Sequence, residues 1–165
     1  MKLCHPYAAM LLLLSLLPAC GLQAPEFFEH KFAGFSIALP TRKPIERTEQ
    51  GPDGTISSVS AEVKGFKYVV VYWELPMYLR GVPNTQILES MSMGAGAWKI
   101  IKQKNATIAG LPGLELAGET ANGKHMLTRM LRTKDRVYLL TIGGTRPVPS
   151  SSATKRFFDS FRLNS

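Results

Sequence analysis

The residue of this chain with the most specific chemistry is Cys20, which directly follows an apolar segment. A cysteine thiolate is a nucleophile, and a lipid donor can alkylate it near neutral pH. The sequence holds two cysteines, and the other one, Cys4, lies ahead of the apolar segment. Cys20 is therefore the candidate site of covalent modification.

The apolar segment itself indicates export. Residues from Ala8 to Leu17 are apolar apart from Ser15, and Lys2 precedes them as a single cation. A helix needs about 20 apolar residues to cross about 30 Å of hydrocarbon, and this run is half that length. A short apolar run with a positive start and a small residue near its end is typical of an export signal.

The end of that segment carries a family resemblance. Leu17, Pro18, Ala19 and Cys20 resemble the lipobox of bacterial lipoproteins, with Pro18 in place of the commoner Ala, Ser or Thr. The resemblance implies cleavage between Ala19 and Cys20, diacylglycerol transfer to the Cys20 sulfur and acylation, for example by palmitate, of the new amino group. The alternative is an ordinary secretory signal that is cleaved after Gly21.

The lipobox divides the chain into a signal peptide over residues 1–19, a lipidated tether over residues 20–26 and one domain over residues 27–165. The six residues Gly21–Glu26 reach at most about 20 Å when extended, so we expect the domain to lie close to the membrane. In a Gram-negative host, Gly21 after the cysteine implies the periplasmic side of the outer membrane. The expected address is the cell envelope.

The charge balance favours anionic partners. The sequence has 20 Lys and Arg against 12 Asp and Glu, a formal net charge of +8. Lipid headgroups, envelope polymers or an acidic protein would suit this excess, whereas an envelope address argues against nucleic acid. The alternative is a basic surface that has no partner. Because Cys4 leaves with the signal and Cys20 carries lipid, we expect no disulfide and a fold that depends on its hydrophobic core.

Basic residues are concentrated around one predicted hairpin near the C-terminal third of the chain. They are Lys124, Arg129, Arg132, Lys134 and Arg136. The sharper hypothesis is a docking patch for an anionic lipid or an acidic protein. The simpler interpretation is a solvated face.

Hydrophobic periodicity predicts an α+β fold. Strands are predicted over residues 34–39, 55–63 and 66–74. Helical periodicity follows from Pro83 to Trp98, and because Gly94 and Gly96 weaken a helix, we expect the helix to stop near Gly94. Four further strands over 99–108, 114–119, 125–132 and 136–143 form a meander, with turns at Gly110–Gly113 and Asn122–Gly123. A final helix begins at Ser150 or Ser151 and buries its phenylalanines. The expected architecture is an antiparallel sheet of about six or seven strands with two packed helices.

Several segments together carry a second resemblance. They are GFSIALP from Gly34, the Gly-Leu-Pro-Gly turn from Gly110, MLTRMLRTKDRVYLLTIGG from Met126 and ATKRFFDSFRL from Ala153. They resemble the PsbP-like fold that the photosystem II extrinsic protein shares with the Ran-binding Mog protein. Bacterial relatives of that fold are often small exported lipoproteins. The resemblance implies a fold and carries over no functional residue.

No motif of a known enzyme class occurs in the region after Cys20. It holds two histidines, His30 and His125, and no His-x-x-x-His, Cys-x-x-Cys, Gly-x-Ser-x-Gly or Walker sequence. We therefore expect no catalytic residues, metal or cofactor. The expected function is that of a lipid-anchored, non-enzymatic binding or accessory module of the cell envelope. The alternatives are an envelope enzyme with an unrecognised site and a purely structural envelope lipoprotein.

Overall fold

The computed structural model describes residues 25–51, 54–94 and 98–164. The signal peptide, the cleavage pair Ala19 and Cys20, and the first part of the tether lie outside these ranges. The elements in chain order are β1 Phe28–Phe32, β2 Phe35–Leu39, β3 Ile45–Gly51, β4 Gly54–Val63, β5 Phe66–Glu74, a 3-10 helix Met77–Leu79, α1 Asn84–Gly94, β6 Trp98–Ile108, β7 Leu111–Thr120, β8 His125–Arg132, β9 Arg136–Gly144, α2 Ser152–Asp159 and β10 Arg162–Leu163. Among the described residues, no helix is long and apolar enough to span a membrane.

Seven strands form one antiparallel sheet in the order β3-β4-β5-β9-β8-β7-β6. Two of its hairpins turn through pairs with positive φ: Lys64 and Gly65 at 51° and 79°, and Ala109 and Gly110 at 48° and 80°. Such pairs match the right-handed twist of the strands they join. The second turn corrects the predicted Gly110–Gly113 turn, because Leu111 to Gly113 already belong to β7.

A second layer covers one face of this sheet. It consists of a three-stranded sheet in the order β1-β2-β10 together with α2. The central strand β2 is buried at every position, and Phe35 packs against Tyr138 and Phe161 with ring centroids 5.7 and 5.6 Å apart. The main hydrophobic core therefore lies between the two layers.

Helix α2 begins where the sequence indicates. The Ser151 side chain caps it by accepting a hydrogen bond from the Thr154 amide at 3.2 Å, as expected for serine at this position. Phe157 and Phe158 face the core and are almost fully buried. The predicted capped helix with its phenylalanines packed on the sheet is confirmed.

Helix α1 packs on the opposite face of the large sheet. Leu88 contacts a cluster that includes Leu116 and Met130, while Ile87 packs with Leu75. The predicted end of this helix near Gly94 is confirmed, whereas the predicted place of Trp98 on the helical face is wrong. Trp98 begins β6, and its side chain packs against the Leu88 cluster from the strand.

The predicted class is confirmed: an α+β fold with a seven-stranded antiparallel sheet and two packed helices. The predicted order of three strands, helix, four strands and helix omits β1, β3 and β10. Of these, β1 and β10 belong to the covering sheet, and β3 forms an exposed edge of the large sheet. The predicted edge position of the lysine-rich strand β6 is confirmed.

Candidate functional site

Arg132, one of the five predicted patch residues, is buried beneath the α1 side of the sheet. Its exposed fraction is 9%. Its guanidinium donates hydrogen bonds to the carbonyls of Val82, Leu79 (3.2 Å) and Arg80 (2.7 Å). Arg132 therefore holds the segment between the 3-10 helix and α1 and is not part of a solvent-facing patch.

Arg129 lies on the other face of β8 in a charged network. Its Nε donates to Glu115 at 2.8 Å, and its Nη1 lies 3.3 Å from an Asp159 oxygen. Lys104 approaches the second Glu115 oxygen at 2.9 Å, and the guanidinium stacks 4.6 Å above the Phe158 ring. These contacts join α2 to the sheet and neutralise much of the charge of Arg129.

Of the remaining three patch residues, Lys134 and Arg136 lie at the β8–β9 turn, whereas Lys124 lies at the other end of β8. Arg136 donates to the Ala33 carbonyl at 2.8 Å and pairs with Glu74 at 3.2 Å. Lys124 precedes β8 and Lys134 follows it, so the two are about 30 Å apart at 3.3 Å per residue. The five residues therefore do not form one patch, which corrects the predicted geometry. Opposite ends of a strand and alternating side-chain directions separate them.

A different set of cations gathers at one end of the molecule, which we call the basic end. It comprises the exposed residues Arg42, Lys43, Lys64, Lys67, Lys124, Arg146, Lys155 and Arg156. The strand register brings the starts of β5 and β8 and the end of β9 to this end, because Phe66 pairs with Gly144 and Gly144 with His125. Of the five patch residues, Lys124 belongs to this surface.

Aromatic rings hold three arginines of the basic end in place. Arg42 lies 4.5 Å above the Phe28 ring, and Arg146 lies 5.6 Å above the Phe66 ring. Arg156, on α2, lies 5.5 Å above the Phe27 ring and donates to the Phe27 carbonyl at 3.2 Å. This surface has no local sequence pattern that predicts it, because its residues come from separate loops and from α2.

The opposite end of the large sheet carries an open cavity of about 570 Å³, which we call the far cleft. Its walls include Tyr72, Trp73, Glu74, Arg80 and Arg136. Met77, 82% exposed, stands at its rim. The cleft combines guanidinium groups, aromatic rings and one carboxylate, which suits recognition of a ligand by shape and charge.

The two histidines of the described residues, His30 and His125, lie on different layers of the fold. The His30 Nε2 atom lies 2.7 Å from the Thr41 carbonyl oxygen, and the His125 Nδ1 atom lies 3.1 Å from a Glu119 oxygen. Within the described ranges, no group of three or more His, Cys, Asp or Glu side chains could hold a metal ion. Each histidine has a local polar partner on its own layer.

The charged network around Glu115 makes a prediction about pH. Burial would raise the pKa of Glu115, but hydrogen bonds and charges from Lys104 and Arg129 outweigh it, so the pKa is lowered. A lowered folded-state pKa adds stability above the unfolded pKa of about 4.3, and this stability is lost as the pH falls through the folded value. Glu115→Gln should therefore reduce the free energy of unfolding at pH 7, and the difference from wild type should shrink at acidic pH.

Urea denaturation at several pH values measures this difference. The matched control is Glu49→Gln, because Glu49 is exposed on the edge strand β3. A Glu115→Gln deficit that stays constant from neutral to acidic pH would contradict the assigned role of the network.

The comparisons with known proteins define the class of fold. No protein-family model and no curated protein matches the chain. Among solved structures, the fold of the chain is PsbP-like. Cyanobacterial PsbP (CyanoP) from Synechocystis sp. PCC 6803 has a TM-score of 0.51 and 11% identity, covering 90% of this chain and 99% of its own.

Two other structures are similar to a lesser degree. A Pseudomonas aeruginosa protein of unknown function has a TM-score of 0.43 and 11% identity, over 73% of this chain and 83% of its own. A protein from Bacteroides thetaiotaomicron has a TM-score of 0.41 and 8% identity, over 86% of this chain and 49% of its own. At these identities, the likeness to solved structures concerns the fold and no activity.

Proposed function

We propose that the protein is a lipid-anchored, non-enzymatic binding or accessory module of the bacterial cell envelope. Diacylglycerol is attached to the Cys20 sulfur, the chain is cleaved between Ala19 and Cys20, and the tether connects the mature domain to the membrane. In a Gram-negative host the address is the periplasmic side of the outer membrane. The observation that carries the proposal is that Phe27, the residue directly after the tether, lies within the basic end.

The position of Phe27 matters because it fixes which surface the tether holds near lipid. Its ring packs edge-on against Tyr68 at 5.8 Å, and its exposed fraction is 5%. A buried residue is a firm attachment point, so the six residues from Gly21 to Glu26 connect the anchor to a rigid body. A positively charged surface beside an anchor suits a membrane whose headgroups carry negative charge.

The proposed role is binding because the far cleft gathers guanidinium groups, aromatic rings and a carboxylate, a combination that suits recognition of a ligand by shape and charge. Arg136 and Glu74 form an ion pair there, and Tyr72 and Trp73 provide apolar contact. The partner on the membrane side is an anionic lipid or an acidic protein. A nucleic acid is not proposed, and no cofactor is needed for this role.

Replacing Cys20 with alanine tests the anchor. The wild-type protein should incorporate radiolabelled palmitate and sediment with membranes, because two or three acyl chains hold a protein firmly at about 0.8 kcal/mol per buried methylene. Cys20→Ala should lose both the label and the membrane retention. The matched control is Cys4→Ala, which lies in the signal and should keep both. Equal labelling of the wild-type and Cys20→Ala proteins would refute the proposal.

A further inference from the structure

We infer that the basic end docks onto the anionic headgroups of the membrane that holds the anchor, so that the far cleft points away from the bilayer. This inference rests on the proposed lipid anchor at Cys20. It adds an orientation and a lipid preference that an anchor does not supply, since a tether holds a domain near a membrane without choosing which surface faces it.

The first argument is that three arginines at this end are already positioned. Arg42, Arg146 and Arg156 each lie above a phenylalanine ring at 4.5 to 5.6 Å. A guanidinium carries five N–H donors. The single described hydrogen bonds of Arg146 and Arg156, to the carbonyls of Lys64 and Phe27, leave donors for phosphate oxygens. Held guanidinium groups lose less entropy on binding and form bidentate contacts with phosphate.

The second argument is the sign of the charge around these arginines. Exposed lysines at positions 43, 67, 124 and 155 extend the positive surface. The acids at this end are fewer: Glu26, Glu29, Glu62 and Glu119, of which Glu119 pairs with His125 at 3.1 Å. Lys67 and Lys124 stand at the rim of a cavity of about 280 Å³ whose floor includes Val69 and Met126. The net field is positive where the tether joins the domain.

The third argument is the length of the tether. Strand β5 runs from the basic end at Phe66 to the far cleft at Glu74, a distance of about 26 Å at 3.3 Å per residue. The six residues Gly21–Glu26 reach about 20 Å when extended. Phe27 packs against Tyr68, six residues before Glu74, so an inverted domain would lift Phe27 by about 20 Å and would need the tether to be fully extended. The tether therefore permits upright and tilted poses, and the charges select among them.

The fourth argument is the range of the attraction. The Debye length is about 8 Å at physiological ionic strength, so exposed charges feel a membrane only when they are close to it. A tether attached at Phe27 keeps the basic end inside a small volume next to the surface and gives it a high effective concentration. Weak individual contacts then suffice to fix the pose. The pose should depend on lipid charge and on salt.

The test uses the acylated full-length product in vesicles and reports which end is near the lipid. With Cys20 acylated, one added cysteine can be labelled selectively with a fluorophore: Thr145→Cys at the basic end or Thr107→Cys near the opposite end, both exposed. Spin-labelled headgroup lipid serves as quencher. In vesicles containing phosphatidylglycerol, we expect quenching at position 145 at least about threefold stronger than at position 107. The difference should disappear in phosphatidylcholine vesicles and in high salt.

Two pairs of charge reversals distinguish an effect of the basic end from an effect of the net charge of the protein. Lys124→Glu with Lys155→Glu should abolish the difference between positions 145 and 107. Lys31→Glu with Lys134→Glu, an equal charge change away from the basic end, should preserve it. Equal quenching at both positions in phosphatidylglycerol vesicles, which is expected if the partner is an acidic protein, overturns the docking. A difference that persists unchanged in phosphatidylcholine vesicles overturns it as well. Palmitate labelling of the same preparations reports the anchor separately, so an acylated protein without orientation refutes docking alone.

Discussion

Replacing Arg132 with methionine is expected to destabilise the protein by about 3 kcal/mol, because it removes three hydrogen bonds that a charged guanidinium donates to backbone carbonyls. Arg132 is 9% exposed, and its guanidinium donates to the carbonyls of Leu79, Arg80 and Val82. These carbonyls belong to the segment that joins the 3-10 helix to α1. Methionine keeps the apolar packing of the side-chain stem and lacks the guanidinium, so the loss reports mainly on the hydrogen bonds.

Arg132 is also an informative position because its Nε atom is buried without a hydrogen-bond partner. Removing that orphan donor offsets a part of the expected loss, which is why about 3 kcal/mol is expected from three hydrogen bonds. Urea denaturation measures the free energy of unfolding. Lys134→Met, an exposed cation after the same strand, should stay within about 0.5 kcal/mol of wild type. An equal effect of both substitutions would show that water replaces the guanidinium in the carbonyl contacts.

Phe35→Ala should cost about 4 kcal/mol, the largest loss expected from a core truncation here. Phe35 is 0% exposed. Its ring centroid lies 5.0 Å from those of Phe32 and Tyr72, and 5.7 and 5.6 Å from those of Tyr138 and Phe161. The ring thus connects β2 to the large sheet, and its removal leaves a cavity at the centre of the main core.

The control for this prediction is Phe35→Leu, which keeps most of the apolar volume and should cost clearly less than the alanine variant. Both variants are compared by urea denaturation, with near-ultraviolet circular dichroism to report the aromatic packing. A loss below about 1 kcal/mol for Phe35→Ala would contradict the assignment of this ring to the centre of the core.

The predictable part of the fold is the part with strong local patterns. Strand β5 is rich in aromatic and β-branched residues, turn residues such as Asn122 and Gly123 separate strands of the meander, and α2 carries a capping serine and phenylalanines on one face. Strand β3 has no such signal, because all its residues from Ile45 to Gln50 are exposed. Strand β10 has two residues and exists only through its pairing with β2. Tertiary contacts, and not local sequence, define these two strands.

The same distinction explains the candidate site. Proximity in sequence suggested that Arg129, Arg132 and Lys134 act together, but alternation along β8 sends Arg129 and Arg132 to opposite faces of the sheet. The surface that gathers cations draws on segments as distant as Arg42 and Arg156. A hairpin can be predicted from a turn motif, whereas the convergence of loops requires the strand register.

The proposed anchor rests on the residues around Cys20, which precede the described ranges. The structure adds the position of Phe27 at the basic end. Together they make a single physical account: a rigid α+β body with PsbP-like fold, held by its positive end on a lipid surface. In the proposed orientation the far cleft, with Arg80 and Trp73 in its wall, faces away from the lipid.

The most direct test of this account is the intact mass of the protein purified from native membranes, with fragmentation of its N-terminal peptide. The account predicts that the mature chain begins at Cys20 and carries diacylglycerol on the sulfur, with a further acyl chain on the amino group in hosts that add one. A mature chain that begins after Gly21, or one whose Cys20 bears no lipid, would contradict it.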